Sequence, residues 1–113
     1  MDMNNTKLET RQPPIFGQAR HDAKTLSATA AMELVPMRGI QEYRLSMQLS
    51  VNDPIAWRGA WIKFGEQSPD KRGIFLAHGQ SQVWVWPNVP QTAVYGIADG
   101  GATVKIGILE TIG

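Results

Sequence analysis

Short strands bounded by turn residues dominate residues 65–113, and they restrict the fold more than any other feature of the sequence. Gly73 and Gly79 bracket a brief apolar run, as expected for a strand that enters and leaves tight turns. Residues 81–87 (SQVWVWP) are β-branched and aromatic until a proline stops them, and residues 92–98 (TAVYGIA) are strand-like again. This half of the chain therefore predicts β-structure throughout.

The final run, residues 102–112, alternates between apolar and polar side chains. Residues 99–101 (Asp-Gly-Gly) precede it, and they tolerate positive φ, so a hairpin loop is expected before this strand. The alternation predicts a half-buried antiparallel strand. Its apolar face holds Ala102, Val104, Ile106, Ile108 and Ile112, and its polar face holds Thr103, Lys105 and Thr111.

Three further strands are predicted before residue 65. Residues 43–51 give the clearest period-two pattern in the chain, with Tyr43, Leu45, Met47, Leu49 and Val51 on one face and Arg44, Ser46, Gln48 and Ser50 on the other. Residues 57–65 and 25–35 are also expected to be strands. Seven short strands without a convincing helix predict an antiparallel β-sandwich or jelly roll, with a compact barrel as the alternative.

Residues 1–24 differ from the rest because they are polar, and Ile15 and Phe16 form their only apolar pair. Such a segment cannot build a core, and the diproline Pro13-Pro14 favours an extended path. We therefore predict an extended arm over residues 1–24 and a single β-sandwich domain over residues 25–113. Pro13, Pro14, Ile15 and Phe16 are the arm residues expected to bind a partner.

Charge and cysteine content exclude several classes of function. Eleven basic and ten acidic residues give a net charge of +1, which supplies no field to hold a nucleic acid or an anionic membrane. The chain has no cysteine, so disulfides, thiolate zinc sites and cysteine catalysis are excluded. The polar N-terminus is unlike a secretory signal, which predicts synthesis in a cytosol.

No motif in the sequence predicts catalysis. The two histidines, His21 and His78, lie far apart without ligand spacing, so a metal site of the cupin kind is not expected. Most carboxylates fall in the arm, in turns or at strand ends, where solvation is the simple interpretation. We therefore predict a protein that is not an enzyme and binds no cofactor or metal.

The four tryptophans are the remaining candidates for a functional site. Trp57 and Trp61 flank one predicted strand, while Trp84 and Trp86 project from one face of another. They fit a central strand packed inside the sandwich, a subunit interface in which tryptophan anchors are desolvated, or a platform for stacking sugars. The sequence leaves these three interpretations open.

The order of these segments resembles the β-domain of small virion proteins of tailed bacteriophages. The residues that carry the resemblance are 32–35 (MELV), 44–49 (RLSMQL), 61–65 (WIKFG), 73–81 (GIFLAHGQS), 83–85 (VWV), 88–89 (NV), 94–98 (VYGIA) and 101–106 (GATVKI).

This resemblance implies a non-enzymatic structural component of a phage particle, made in the host bacterial cytoplasm and located in the virion. Capsid decoration or cement is the expected role, with the major capsid protein or another virion protein as partner. A homo-oligomer, most simply a trimer, fits such a role. The rival prediction is a carbohydrate-binding or receptor-binding tip that exposes Trp84 and Trp86.

Overall fold

The computed structural model describes residues 18–53, 58–101 and 103–113, and in these ranges the chain is all β. Eight strands follow one another, and the alternating segments of the sequence coincide with the longer ones. The strands are β1 (Gln18–Leu26), β2 (Met32–Val35), β3 (Arg44–Val51), β4 (Ala60–Phe64), β5 (Ile74–Leu76), β6 (Ser81–Val85), β7 (Val94–Ala98) and β8 (Val104–Ile112).

The strands form two antiparallel four-stranded sheets. The first sheet has the order β1-β8-β3-β6, and the second has the order β2-β7-β4-β5. Strand 1 therefore pairs with 8, 2 with 7, 3 with 6 and 4 with 5. This is the strand order of a jelly roll, so the predicted fold class is confirmed.

The core lies between the two sheets and is supplied by every second residue of the long strands. Met47 and Leu49 of β3 and Ile106 of β8 have no solvent exposure, whereas the residues between them are partly or fully exposed. This is the expected result of period-two alternation in a strand that buries one face. The buried hydrophobic cluster comprises Leu26, Leu34, Val35, Met47, Leu49, Val51, Ala60, Ile62, Leu76, Val89, Val94, Ala98, Val104, Ile106 and Ile108.

The structure differs from the prediction at the start of the chain. The single strand predicted for residues 25–35 is the end of β1 and the whole of β2, separated by residues 27–31. Strand β1 begins at Gln18, inside the predicted arm, and pairs with β8 along its full length. Residues 1–17 lie outside the described residues, so an extended arm there stays a prediction.

The connection between β7 and β8 also differs from the prediction. Gly101 has φ +70°, so the positive φ expected near residues 99–101 is present. The two flanking strands nevertheless belong to different sheets, and the segment crosses the sandwich instead of closing a hairpin. The same turn residues can form a hairpin loop or a connection that crosses between sheets. A glycine with positive φ therefore does not specify which sheet the next strand joins. Among the described residues, no helix is long and apolar enough to cross a membrane.

Candidate assembly surface

The two sheets together have four edge strands, and three of them carry features that discourage pairing with another chain. Strand β1 carries charged side chains on its inward face. The register shows this, because Arg20, Asp22 and Lys24 pair with the core-facing residues Glu110, Ile108 and Ile106 of β8. Strand β2 has four residues and an irregular register, and β5 has three. Inward charges, irregularity and shortness are known protections of sheet edges.

Strand β6 is the edge without these protections. It has five residues (SQVWV), none of them charged, and in the described part of the chain β3 is its only hydrogen-bonded neighbour. Its register with β3 runs without interruption from Ser81 to Val85. A regular, uncharged edge of this kind is a template for an additional strand.

The hydrogen bonds that flank β6 show which of its backbone groups face outward. Trp86 N donates to Leu45 O at 2.8 Å, and Gln80 O accepts from Val51 N at 2.9 Å, so the even-numbered residues are bonded toward β3. In an antiparallel strand this direction alternates from residue to residue. The backbone groups of Ser81 and Val83 and the N–H of Val85 therefore face the free edge, whereas Val85 O accepts a hydrogen bond from Asn88 N at 2.8 Å.

The side chains of β6 divide between the core and the surface. Val83 is 54% exposed and Val85 is 57% exposed on the outer face of the sheet. On the inner face Trp84 packs against the core and meets Phe64 edge-on, with ring centroids 5.5 Å apart. The free edge of β6 thus carries exposed apolar side chains beside outward backbone groups.

An apolar groove lies at the end of this sheet, beyond the last residue of β6. Its volume is about 460 Å³. Tyr43 and Trp86 form its aromatic part, with ring centroids 5.0 Å apart, and Ile40 at its rim is 95% exposed. The groove is lined by Arg38, Gly39, Ile40, Tyr43, Trp86 and Gln91.

A buried ionic cluster supports this end of the sandwich. Glu110 accepts a hydrogen bond from Arg44 Nε at 2.6 Å and a bidentate pair from Arg38, with Nη2 at 2.6 Å and Nε at 2.9 Å. The rest of the Arg44 guanidinium donates to the carbonyl oxygens of Pro36, Pro90 and Thr92. A buried charge is tolerated when it is paired and hydrogen-bonded in this way.

The ion pairs of this cluster shift the pKa values of Glu110 and Arg38. Burial raises the pKa of the Glu110 carboxyl, but the hydrogen bonds and positive charges of Arg38 and Arg44 lower it by more, so its pKa lies below the ordinary value. The hydrogen bond to Glu110 likewise raises the pKa of Arg38. Glu110 and Arg38 are therefore both ionised at neutral pH.

The structure buries Arg44 and Glu110, against the expectations from the sequence. The alternation of residues 43–51 predicts Arg44 on the polar face of its strand, and solvation is the general expectation for the carboxylates. The register of β3 shifts between Arg44 and Ser46, and this bulge lets Arg44 and Leu45 both lie buried. For Glu110 a signal existed, because it shares its face of β8 with Ile106, Ile108 and Ile112.

The structure separates the predicted site residues. Trp84 and Trp86 contact different rings, and Trp84 belongs to an edge strand, not to the central strand that was one interpretation. Trp61 lies on the second sheet, where it stacks near Phe75 at 4.9 Å and its indole donates to Asp99 at 2.8 Å. The remaining predicted residues, Trp57, Pro13, Pro14, Ile15 and Phe16, lie outside the described residues.

The two histidines lie apart in the structure as they do in the sequence. His21 is exposed on β1, and the Nε2 atom of His78 lies 2.9 Å from the carbonyl oxygen of Asp53. Within residues 18–53, 58–101 and 103–113, no three histidine, aspartate or glutamate side chains gather closely enough to hold a metal ion.

Comparison with known proteins finds a likeness in fold to a solved structure. No family model and no curated protein matches the sequence. A solved structure described as "Bacillus endospore appendages form a novel family of disulfide-linked pili" superposes with a TM-score of 0.59. The match covers 84% of this chain and 82% of that chain at 20% sequence identity, which shows a shared fold.

This likeness corrects the function predicted from the sequence. The fold neighbour is a bacterial appendage protein and not a phage protein, so the prediction of a phage capsid decoration protein is wrong, and a major capsid protein is not supported as partner. The resemblance to phage virion proteins is untested by these comparisons and stays a prediction.

Proposed function

We propose that this chain is a non-enzymatic structural subunit that associates with further copies of itself through the free edge of β6. The observation that carries the proposal is the contrast between β6 and the three protected edges. Most β-proteins protect the edges of their sheets against further pairing. Strand β6, in contrast, has a regular register, carries no charged residue and exposes Val83 and Val85. The fold likeness to a pilus protein supports a role in assembly.

Assembly of this chain would differ chemically from that of the neighbour. The neighbour's description is of disulfide-linked pili, whereas this chain contains no cysteine. Its subunits would therefore hold together by backbone hydrogen bonds and apolar contacts. Pairing of β6 with β6 of a second copy closes a two-fold dimer, while pairing with a different edge allows a ring, including the predicted trimer, or a filament.

The test is the molar mass of the full chain across a concentration series, measured by light scattering after size exclusion. The wild-type chain should form oligomers at high concentration, and Val83→Lys should remain a monomer because a lysine on the exposed side of β6 opposes close pairing. Ala23→Lys is the matched control, since Ala23 is exposed on the protected edge β1, and it should behave as wild type.

Two results would overturn the proposal. One is a wild-type chain that stays monomeric at every concentration. The other is a Val83→Lys variant that assembles as the wild type does while its circular dichroism shows the same fold. The oligomer mass, where one is found, also tests the predicted trimer.

A further inference from the structure

We infer that strand β6 pairs antiparallel with β6 of a second copy, with Val83 opposite Val83 of that copy, and so closes a two-fold dimer. The inference rests on the proposed function, and it names the strand that β6 meets. Among the described strands, the other three edges carry inward charges, an irregular register or only three residues. The complement that a second copy offers to β6 is therefore its own β6.

The outward backbone groups of β6 are complementary to themselves. Two facing residues of an antiparallel pair exchange both N–H···O bonds when both turn their backbone groups toward the partner strand. Val83 turns its N–H and C=O to the free edge, so the two copies of Val83 exchange two such bonds. In the same register the N–H of Val85 meets the C=O of Ser81 of the second copy, and the two-fold axis repeats this bond. These bonds leave Val85 O with its own acceptor role toward Asn88 N.

The ends of the strand select this register over its neighbours. Strand β6 runs from Ser81 to Val85, and pairing centred on Val83 is the register that overlaps all five residues. A shift by two residues in one direction brings Ser81 opposite Pro87, which has no N–H to donate. The opposite shift brings Val85 opposite Gly79, whose φ of +82° departs from an extended strand. A shift by one residue sets outward groups against groups that already bond β3.

Self-pairing also requires a strand without like charges, because a two-fold axis brings each residue close to the same segment of the second copy. Residues 74–98 contain no aspartate, glutamate, lysine or arginine. This stretch includes β6 and both its flanks, so it adds no like-charge repulsion. On the outer face the register sets the exposed Val83 side chains of the two copies side by side, and it sets the exposed Val85 beside Ser81, which removes apolar surface from water.

The test uses single cysteines in the full chain, which has no native cysteine. Val83→Cys should give a disulfide-linked dimer under mild oxidation, because facing Cα atoms lie about 5.5 Å apart and a disulfide joins Cα atoms about 4.4–6.8 Å apart. Ser81→Cys and Val85→Cys are the matched controls. In this register each lies about 13 Å along the strand from its own counterpart, so its dimer should form roughly tenfold more slowly.

An equimolar mixture of the Ser81→Cys and Val85→Cys chains should recover the fast rate, because Ser81 faces Val85 across the two-fold axis. This mixture leaves Val83 unchanged, so it tests the register even where circular dichroism shows that Val83→Cys disturbs the fold. A mixture that is no faster than its two components would overturn the inference. So would a folded Val83→Cys chain that is no faster than the controls.

These outcomes are distinguishable from failure of the proposed function. If the disulfides do not form as expected while the wild-type chain assembles and Val83→Lys does not, assembly through β6 stands and β6 meets a different edge. A wild-type chain that is monomeric at every concentration would overturn the inference and the proposed function together.

Discussion

The Nε atom of Arg44 donates a 2.6 Å hydrogen bond to Oε2 of Glu110 between the two sheets, where both side chains are buried. This contact joins neighbouring strands β3 and β8 of one sheet. Through the carbonyl oxygens of Pro36, Pro90 and Thr92, Arg44 also holds the segments that lead into β3 and β7. The pair thus connects β3, β8 and the segments that precede β3 and β7.

Replacement of Glu110 should be among the most damaging polar changes in the protein. Glu110→Gln leaves Arg44 charged and buried without its counterion, and breaking a buried pair in this way costs about 3–5 kcal/mol. Urea unfolding at neutral pH measures the loss. Glu42→Gln is the control, because Glu42 is more than half exposed and also bonds Arg38; it should change the free energy of unfolding by less than about 1 kcal/mol. Equal losses for the two variants would contradict this account.

The same carboxylate should make stability depend on pH. Its pKa in the folded protein lies below its ordinary value of 4.5, so its contribution is complete above that value and is lost as the pH falls through the folded pKa. The free energy of unfolding should therefore decrease below about pH 4.5. Glu110→Gln should show a smaller decrease than the wild type in chemical denaturation from pH 7 to 3. Parallel curves would contradict the assignment.

Gln91 should be required to stabilise the bulge at Arg44. Its Oε1 accepts from the backbone nitrogen of Arg44 at 2.6 Å, and its Nε2 donates to the backbone oxygen of the same residue at 2.9 Å. Gln91→Ala leaves these groups without side-chain partners, which costs about 1–3 kcal/mol. Gln91→Glu keeps the acceptor but loses the donor, so its loss at neutral pH is expected to be of the same order. Thermal unfolding measures both, and an Ala variant as stable as the wild type would exclude this role.

Two glycines with positive φ should respond differently to alanine. Gly73 has φ +107°, and an added Cβ would overlap the backbone oxygen of Ile62, whereas Gly79 has φ +82° with open space around it. Gly79→Ala should cost about 1–2 kcal/mol from backbone strain alone. Gly73→Ala adds a clash with a backbone atom, and we expect about 2–4 kcal/mol. Denaturant midpoints of the two variants compare them directly, and an equal cost would contradict a separate steric term.

The sequence was sufficient for the fold class because its information is local and repeated. Residues 43–51 alternate throughout, residues 102–112 alternate except at Leu109 and Glu110, and the structure buries Leu45, Met47, Leu49 and Val51 as that pattern requires. It was insufficient for sheet assignment: residues 99–101 have the composition of a hairpin loop, yet the strands on either side belong to different sheets. Which strands pair depends on contacts between distant residues, which no local pattern records.

The alternating pattern is enough to predict an all-β sandwich, because alternating side chains can bury only one face of a strand. The edges of the sheets and the buried charges follow from the three-dimensional packing. The packing leaves β6 at an edge, where Val83 and Val85 are exposed, and a bulge in β3 directs the Arg44 side chain into the interior. The physical reason is that exposure at an edge and the pairing of buried charges both depend on which strand lies alongside, and that neighbour is set by the packing of the whole chain.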